Sequence, residues 1–294
     1  MTRLSIDLPD GSLSAIQFGD PSDPLGLIFC HANGFNAQVY RSVITPTLEG
    51  LGRSALALDL RGHGQTQLPT DVDALSGWQI FADDIAAIFD RKVDQPVVLA
   101  GHSYGAVSGI LALPQIKEKV VGYAGFDPVL VPWLFRQIAR SRTGRAYMKK
   151  RIPIARKAGQ RKNQFESLEA AFTRYQGRGA FKGVPDPVLR DYLTGGLIPH
   201  GDGMRLACDP MWEQAIFAAQ AHNIFKKIPL LPDNAHIVFA GAQGRVSTDG
   251  QRKAIQRLQP GITVDYEKDR AHLFPIQDPD FAAQVLRGVL EKAF

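Results

Sequence analysis

Val97-Val98-Leu99-Ala100-Gly101-His102-Ser103-Tyr104-Gly105 runs from an apolar strand pattern directly into G-x-S-x-G. A short buried strand that breaks at a glycine and restarts as a helix holds a serine in a tight, exposed turn with its hydroxyl forward. Gly101 and Gly105 have a steric reason, because such a turn brings backbone segments so close that a Cβ at either flank collides. The pattern alone is a modest signal in a chain with 28 glycines. Its flanks strengthen it: Ala106-Val107-Ser108-Gly109-Ile110-Leu111-Ala112-Leu113 predicts a small-residue helix able to pack closely on a sheet. The alternative is a glycine-rich strand-to-helix turn carrying an incidental serine.

Outward from this turn, strands alternate with helical stretches, the pattern of a mostly parallel sheet covered on both faces. Strands are predicted at residues 3–8, 12–18, 26–31, 54–59, 97–101, 121–126, 236–240 and 262–267, the first two forming a hairpin around Pro9-Asp10-Gly11. Helices are predicted at 80–90, 248–258 and 280–292. The fold class is therefore α/β, an eight-stranded sheet with helices on both faces. Residues 128–232 break the rhythm with helical pattern and no convincing strand, so they predict an inserted helical cap, with 1–127 and 233–294 forming the core.

A chain of 294 residues with 45% hydrophobic content can bury one large core. The amino terminus lacks an apolar signal region and no run reaches the roughly 18 apolar residues of a membrane span. Cys30 and Cys208 are too few for a disulfide framework and lack metal-ligand spacing, so a cytoplasmic protein with reduced thiols and no metal is expected. The net charge of +5 hides an asymmetry: Arg136, Arg140, Arg142, Arg145, Lys149, Lys150, Arg151, Arg156, Lys157, Arg161 and Lys162 all precede the first acid of the predicted cap, Glu166. Such a stretch fits a solvated face, or a surface for anionic substrates or acidic lipid headgroups. No recognisable nucleic-acid module accompanies it, so no nucleic-acid partner is expected.

A serine hydroxyl needs a base, an acid to orient that base, and donors for an oxyanion. His272, in Asp269-Arg270-Ala271-His272-Leu273-Phe274-Pro275, follows the last strand, where a loop can lay its imidazole over Ser103. His31, His63 and His102 lie in motif turns, where structural hydrogen bonds are the simpler role. His200, His222 and His236 fall in or near the predicted cap.

These residues identify a resemblance to the α/β-hydrolase superfamily over nearly the full length. Besides the elbow, His31-Ala32-Asn33-Gly34-Phe35 stands where that family has an H-G oxyanion loop, with Ala32 in place of the glycine. Asp59-Leu60-Arg61-Gly62-His63-Gly64 matches its D-x-R-G-H-G turn. The resemblance implies Ser103 as nucleophile, His272 as base, and an oxyanion hole of the Asn33 and Tyr104 amides.

The acid departs from the family pattern. Most members carry it after the seventh strand, where this chain reads Ala240-Gly241-Ala242-Gln243-Gly244-Arg245, with Gly244 at the acid position. Some carry it after the sixth, where Gly125-Phe126-Asp127-Pro128 offers Asp127. Asp127 is taken as the acid, with Asp249, Asp269 and Asp265 as alternatives. A serine rather than an aspartate at the elbow implies acyl transfer, hence a serine hydrolase acting on a small-molecule ester with an apolar acyl group and without a cofactor. A thioesterase, an acyltransferase, or a non-catalytic binding protein on the same scaffold are the alternatives. His31, Phe35, Trp133, Trp212 and Phe217 are candidate pocket residues.

Overall fold

The runs Leu27-Ile28-Phe29-Cys30 and Val97-Val98-Leu99-Ala100 are buried throughout, as strands covered on both faces must be. Along the first run, Leu27 and Phe29 join one apolar cluster while Ile28 and Cys30 join the other, the two-residue alternation of a strand between two layers. A computed structural model describes residues 1–242 and 246–294. Among them are eleven strands: β1 (Thr2–Leu8), β2 (Gly11–Phe18), β3 (Leu25–Cys30), β4 (Ser54–Leu58), β5 (Val97–His102), β6 (Val120–Phe126), β7 (Gln164–Phe165), β8 (Leu197–His200), β9 (Gly203–Leu206), β10 (Ala235–Ala240) and β11 (Thr263–Glu267).

Eight of them form one sheet in the order β1-β2-β4-β3-β5-β6-β10-β11. The β1–β2 hairpin and the β2–β4 pair are antiparallel, and every pair from β4 and β3 to β11 is parallel. The mostly parallel, eight-stranded α/β architecture expected from the sequence is the observed one. Helices Gln79–Lys92, Tyr104–Ile116 and Asp249–Leu258 contribute Ile85, Ile110 and Ile255 to one cluster. Helices Arg41–Leu48 and Pro279–Ala293 contribute Ile44 and Leu286 to the other. No helix among the described residues is long and apolar enough to cross a membrane.

Between β6 and β10 the chain makes an excursion that adds nothing to the large sheet. It holds six α-helices, Trp133–Ala139, Arg142–Arg151, Pro153–Gly159, Leu168–Tyr175, Asp186–Gly196 and Pro210–Ala218. It also holds a small antiparallel sheet in the order β7-β9-β8, which corrects the expectation of helices alone. β7 has two residues and β8 and β9 four each, too short to print a two-residue period. Gly201, at φ +56°, and Asp202 supply the turn between β8 and β9.

Candidate active site

Ser103 follows β5 and precedes the helix Tyr104–Ile116, at φ 56° and ψ −118°, a backbone conformation few non-glycine residues adopt. The residues two positions to either side must be glycines. A Cβ on Gly101 would lie 2.6 Å from the Ala106 nitrogen, and one on Gly105 would lie 2.3 Å from the His31 carbonyl oxygen. The Ser103 N–H donates to the Phe126 carbonyl at 2.8 Å, tying the turn to the end of β6.

The next residue after β6 is Asp127, also left-handed at φ 43° and fully buried. Its N–H donates to Val238 at 2.7 Å, and its Oδ1 accepts the Ala240 N–H at 3.0 Å, so both ends are fixed by β10. Oδ2 accepts from His272 Nδ1 at 2.6 Å, and His272 Nε2 lies 2.9 Å from Ser103 Oγ. A carboxylate only accepts, so the proton is on Nδ1 and the Nε2 lone pair faces the serine hydroxyl. This is the geometry a general base requires.

The other acid candidates lie elsewhere. Asp249 opens a helix and pairs with Arg252, with its side chain 77% exposed. Asp265 pairs with His236 at 2.7 Å, and Asp269 is exposed. The Gln243-Gly244-Arg245 stretch, where Gly244 stands at the usual acid position of the sequence pattern, lies outside the described residues.

Three buried histidines hold the surrounding loops. His31 donates from Nδ1 to the Ala32 carbonyl at 2.7 Å and accepts the Leu60 N–H on Nε2 at 3.0 Å. His63 accepts the Gly34 N–H at 3.0 Å. Burial pulls the His31 pKa down to about 4 and that of His63 to about 3, so both are neutral acceptors near neutral pH. Tyr40 OH accepts the Ala32 N–H and donates to His102 Nδ1 at 2.7 Å, and His102 Nε2 donates to the His272 carbonyl at 2.8 Å. Asp59 accepts from the Ala37 N–H at 2.8 Å, and Arg61 makes a bidentate pair with Asp84 at 2.7 and 2.9 Å. The D-x-R-G-H-G turn thus anchors the 31–37 loop.

In that loop the amides of Ala32, Gly34 and Phe35 are committed to Tyr40, His63 and the Ala32 carbonyl. The Asn33 amide makes no hydrogen bond to a described residue. The Tyr104 amide is in the first turn of its helix, where no intrahelical acceptor exists. Asn33 Nδ2 donates to the Glu213 carbonyl at 3.0 Å, so the excursion grips this loop.

Of the candidate pocket residues, His31 and Trp212 need correction. His31 is fully buried with both ring nitrogens engaged, and Trp212 is 2% exposed with Nε1 donating to the Arg61 carbonyl at 3.0 Å. Both are struts rather than pocket walls. Trp133 is 64% exposed, and Phe217 is partly buried in the helix Pro210–Ala218. Phe35 borders a cavity near the loop, a space of about 10 Å³ shared with Gly34, Arg161, Tyr192 and Cys208. A far larger groove of about 530 Å³ lies at the opposite, amino-terminal ends of β10 and β11, lined by Asn234, His236 and Lys292 among others.

Arg161, one of the eleven cations, and Glu213 form a pair that nothing local in the sequence marks. Arg161 donates to Glu213 Oε2 at 2.7 Å and to Tyr192 OH at 2.6 Å, and a Cβ on Gly34 would lie 2.6 Å from Glu213 Oε1. The partners are 52 residues apart, so no local pattern links them.

A 2-(acetamidomethylene)succinate hydrolase of Mesorhizobium japonicum is 20% identical over 275 residues, 92% of this chain and 89% of that protein. A crystal structure of E-2-(acetamidomethylene)succinate hydrolase aligns with a TM-score of 0.77 at 19% identity, covering 99% of both chains. An M. tuberculosis esterase aligns with a TM-score of 0.72 at 20% identity, covering 99% of this chain and 92% of that one. A thioesterase domain from the curacin biosynthetic pathway does so at 0.72 and 16% identity, covering 97% and 99%. At these identities the likeness is one of fold. The Alpha/beta hydrolase family model matches residues 27–285, from the third strand of the large sheet into the last helix, and the chain belongs to that family.

Proposed function

We propose that this chain is a serine hydrolase that cleaves carboxylic esters of small molecules through an acyl-enzyme, with residues 128–232 as a cap over the site. The observation that carries this reading is the continuous hydrogen-bonded line from Ser103 Oγ through His272 to the buried Asp127. In the first half-reaction Ser103 Oγ attacks the ester carbonyl while His272 Nε2 takes its proton. The oxyanion is held by the Asn33 and Tyr104 amides. Collapse breaks the C–O bond, and the alcohol leaves with the proton from Nε2. In the second, water gives a proton to Nε2 and attacks the acyl carbon, and Ser103 leaves reprotonated. Asp127 keeps the Nδ1 proton in place and stabilises the imidazolium that forms in each half.

A non-catalytic scaffold has no use for this line with its base correctly tautomerised. The similar Mesorhizobium japonicum protein is named for a succinate derivative, so carboxylate-bearing substrates belong beside neutral esters and thioesters in an activity panel. The direct test is release of p-nitrophenol from short-chain esters, with labelling of Ser103 by a fluorophosphonate followed by mass spectrometry. Turnover and labelling that both vanish in Ser103→Ala support the reading. Turnover that survives in Ser103→Ala refutes it.

A further inference from the structure

Trp133, Leu134 and Phe135 open the first helix of the excursion and are 64%, 59% and 43% exposed. The next two helices add Tyr147 and Ile154, each more than half exposed. Helices Trp133–Ala139, Arg142–Arg151 and Pro153–Gly159 pack in succession on one another, and the latter two also pack on Pro210–Ala218. What they bury fully is small or narrow, Ala139, Met148, Ala155 and Ala158, with Ile138 and Ile152 partly buried beside them and no aromatic ring. Their bulkiest apolar side chains therefore face solvent, the reverse of what burial favours in a freely soluble helix.

The same helices and the residues just after them carry the eleven cations between 136 and 162. Arg142 pairs with Asp73 and Arg161 with Glu213; the other nine have no carboxylate partner among the described residues. Arg151 lies over the exposed Tyr147 ring, 5.7 Å from its centroid, so charge and aromatic surface are interleaved.

We propose that this exposed surface docks on an anionic lipid bilayer, with Trp133, Leu134 and Phe135 entering the headgroup region and the exposed lysines and arginines that lack a carboxylate partner meeting lipid phosphates. The combination selects the partner. A polyanion such as nucleic acid would satisfy the charge but leave the Trp-Leu-Phe turn in water, and a second copy of this chain would set two strongly basic stretches against each other. A bilayer with anionic headgroups accommodates both. The docking is independent of the ester chemistry proposed above.

The test is co-sedimentation of the intact protein with phosphatidylcholine vesicles, with and without phosphatidylglycerol, at 0.1 M salt, read together with tryptophan fluorescence. Of the three tryptophans, Trp78 and Trp212 are buried, so a blue shift on binding reports Trp133. Expected are partition that needs phosphatidylglycerol, a blue shift, and weakening by added salt. With each cation near the surface contributing about 1 kcal/mol, the variant Lys149→Gln/Lys150→Gln/Arg151→Gln should partition about a hundredfold more weakly. Trp133→Ser/Leu134→Ser/Phe135→Ser, checked for an unchanged melting temperature, should lose most of the binding. The proposal is overturned by absence of binding to the anionic vesicles, by binding without a blue shift, by equal binding to neutral vesicles, or by tighter binding to a single-stranded oligonucleotide than to the vesicles.

Discussion

Replacing Asp127 by Asn probes the proposed acid at nearly constant shape. Asparagine tolerates a left-handed backbone, so the φ of 43° adds little strain. The new amide can face two ways. If Nδ2 turns to the Ala240 N–H, two donors meet in a buried site, at a cost of about 1–3 kcal/mol. If the carbonyl oxygen stays on Ala240, Nδ2 points at His272 Nδ1, now 2.6 Å from a donor instead of an acceptor. The second arrangement satisfies both groups once the imidazole shifts its proton to Nε2. That tautomer aims a hydrogen at Ser103 Oγ and leaves no lone pair to accept its proton. Ester turnover should then fall by up to about 10⁴-fold, with KM little changed and the fold intact. Steady-state kinetics on a short-chain ester, with circular dichroism as the folding control, measures both. Asp249→Asn, at an exposed site paired with Arg252, should stay within about twofold of the parent. Near-parental turnover in Asp127→Asn with a collapse in Asp249→Asn would refute the assignment.

Ser103→Ala and His272→Ala should each remove several orders of magnitude of turnover and the double variant little more, because both serve one proton transfer; additive losses would contradict this. His31 and His63 are neutral in the fold, with pKa values pulled by burial to about 4 and about 3, while the unfolded chain takes up their protons below about pH 6.5. Their contribution is complete above that pH and is lost as pH falls toward the folded values, by at most about 1.4 kcal/mol per unit for each, so a melting temperature flat from pH 7 to 4.5 would count against it. Gly105→Ala drives a Cβ to 2.3 Å from the His31 carbonyl and 2.5 Å from that of Cys30, and should cost at the upper end of about 1–3 kcal/mol in urea unfolding. Arg161→Met strands the Glu213 carboxylate, 9% exposed, and should cost about 3 kcal/mol; adding Glu213→Gln should restore part of it, and equal losses in single and double variants would argue against a buried pair.

The central strands were legible because parallel strands buried on both faces appear as unbroken apolar runs, and their predicted bounds lie within one residue of those observed. The strands of the excursion were not, since runs of two and four residues carry no period. Around Ser103, the sequence indicated which residue types gather but not which way they point. Trp212 and His31 are as aromatic as any pocket wall, yet Trp212 is fixed by the Arg61 carbonyl and His31 by the Leu60 amide, contacts that tertiary structure alone creates. The Tyr40–His102 bond spans 62 residues and left no local trace.

Ser103 and Asp127 are the two non-glycine residues with positive φ among those described, and they stand at the ends of adjacent strands. Such conformations cost about 1–3 kcal/mol each and persist only where the surroundings over-determine them. Here each is held by the next strand of the sheet: the Ser103 amide by Phe126, the residue before Asp127, and the Asp127 amide by Val238 of β10. Sheet spacing therefore sets the distance between the two ends of the hydrogen-bonded line, and only the loop carrying His272 is left to adjust. That loop is tied in turn by His102, the residue before Ser103, through its Nε2–H to the His272 carbonyl. The turn at Ser103 thus positions the proposed base, His272, twice, by the backbone of its loop and by the ring nitrogen facing the serine. Because Tyr40 joins His102 to the Ala32 amide, the same connection reaches the loop that offers the Asn33 N–H. A change at Tyr40 should accordingly disturb the proposed base and the proposed oxyanion donor together, although its hydrogen bonds are to Ala32 and His102 and not to Ser103 or Asp127.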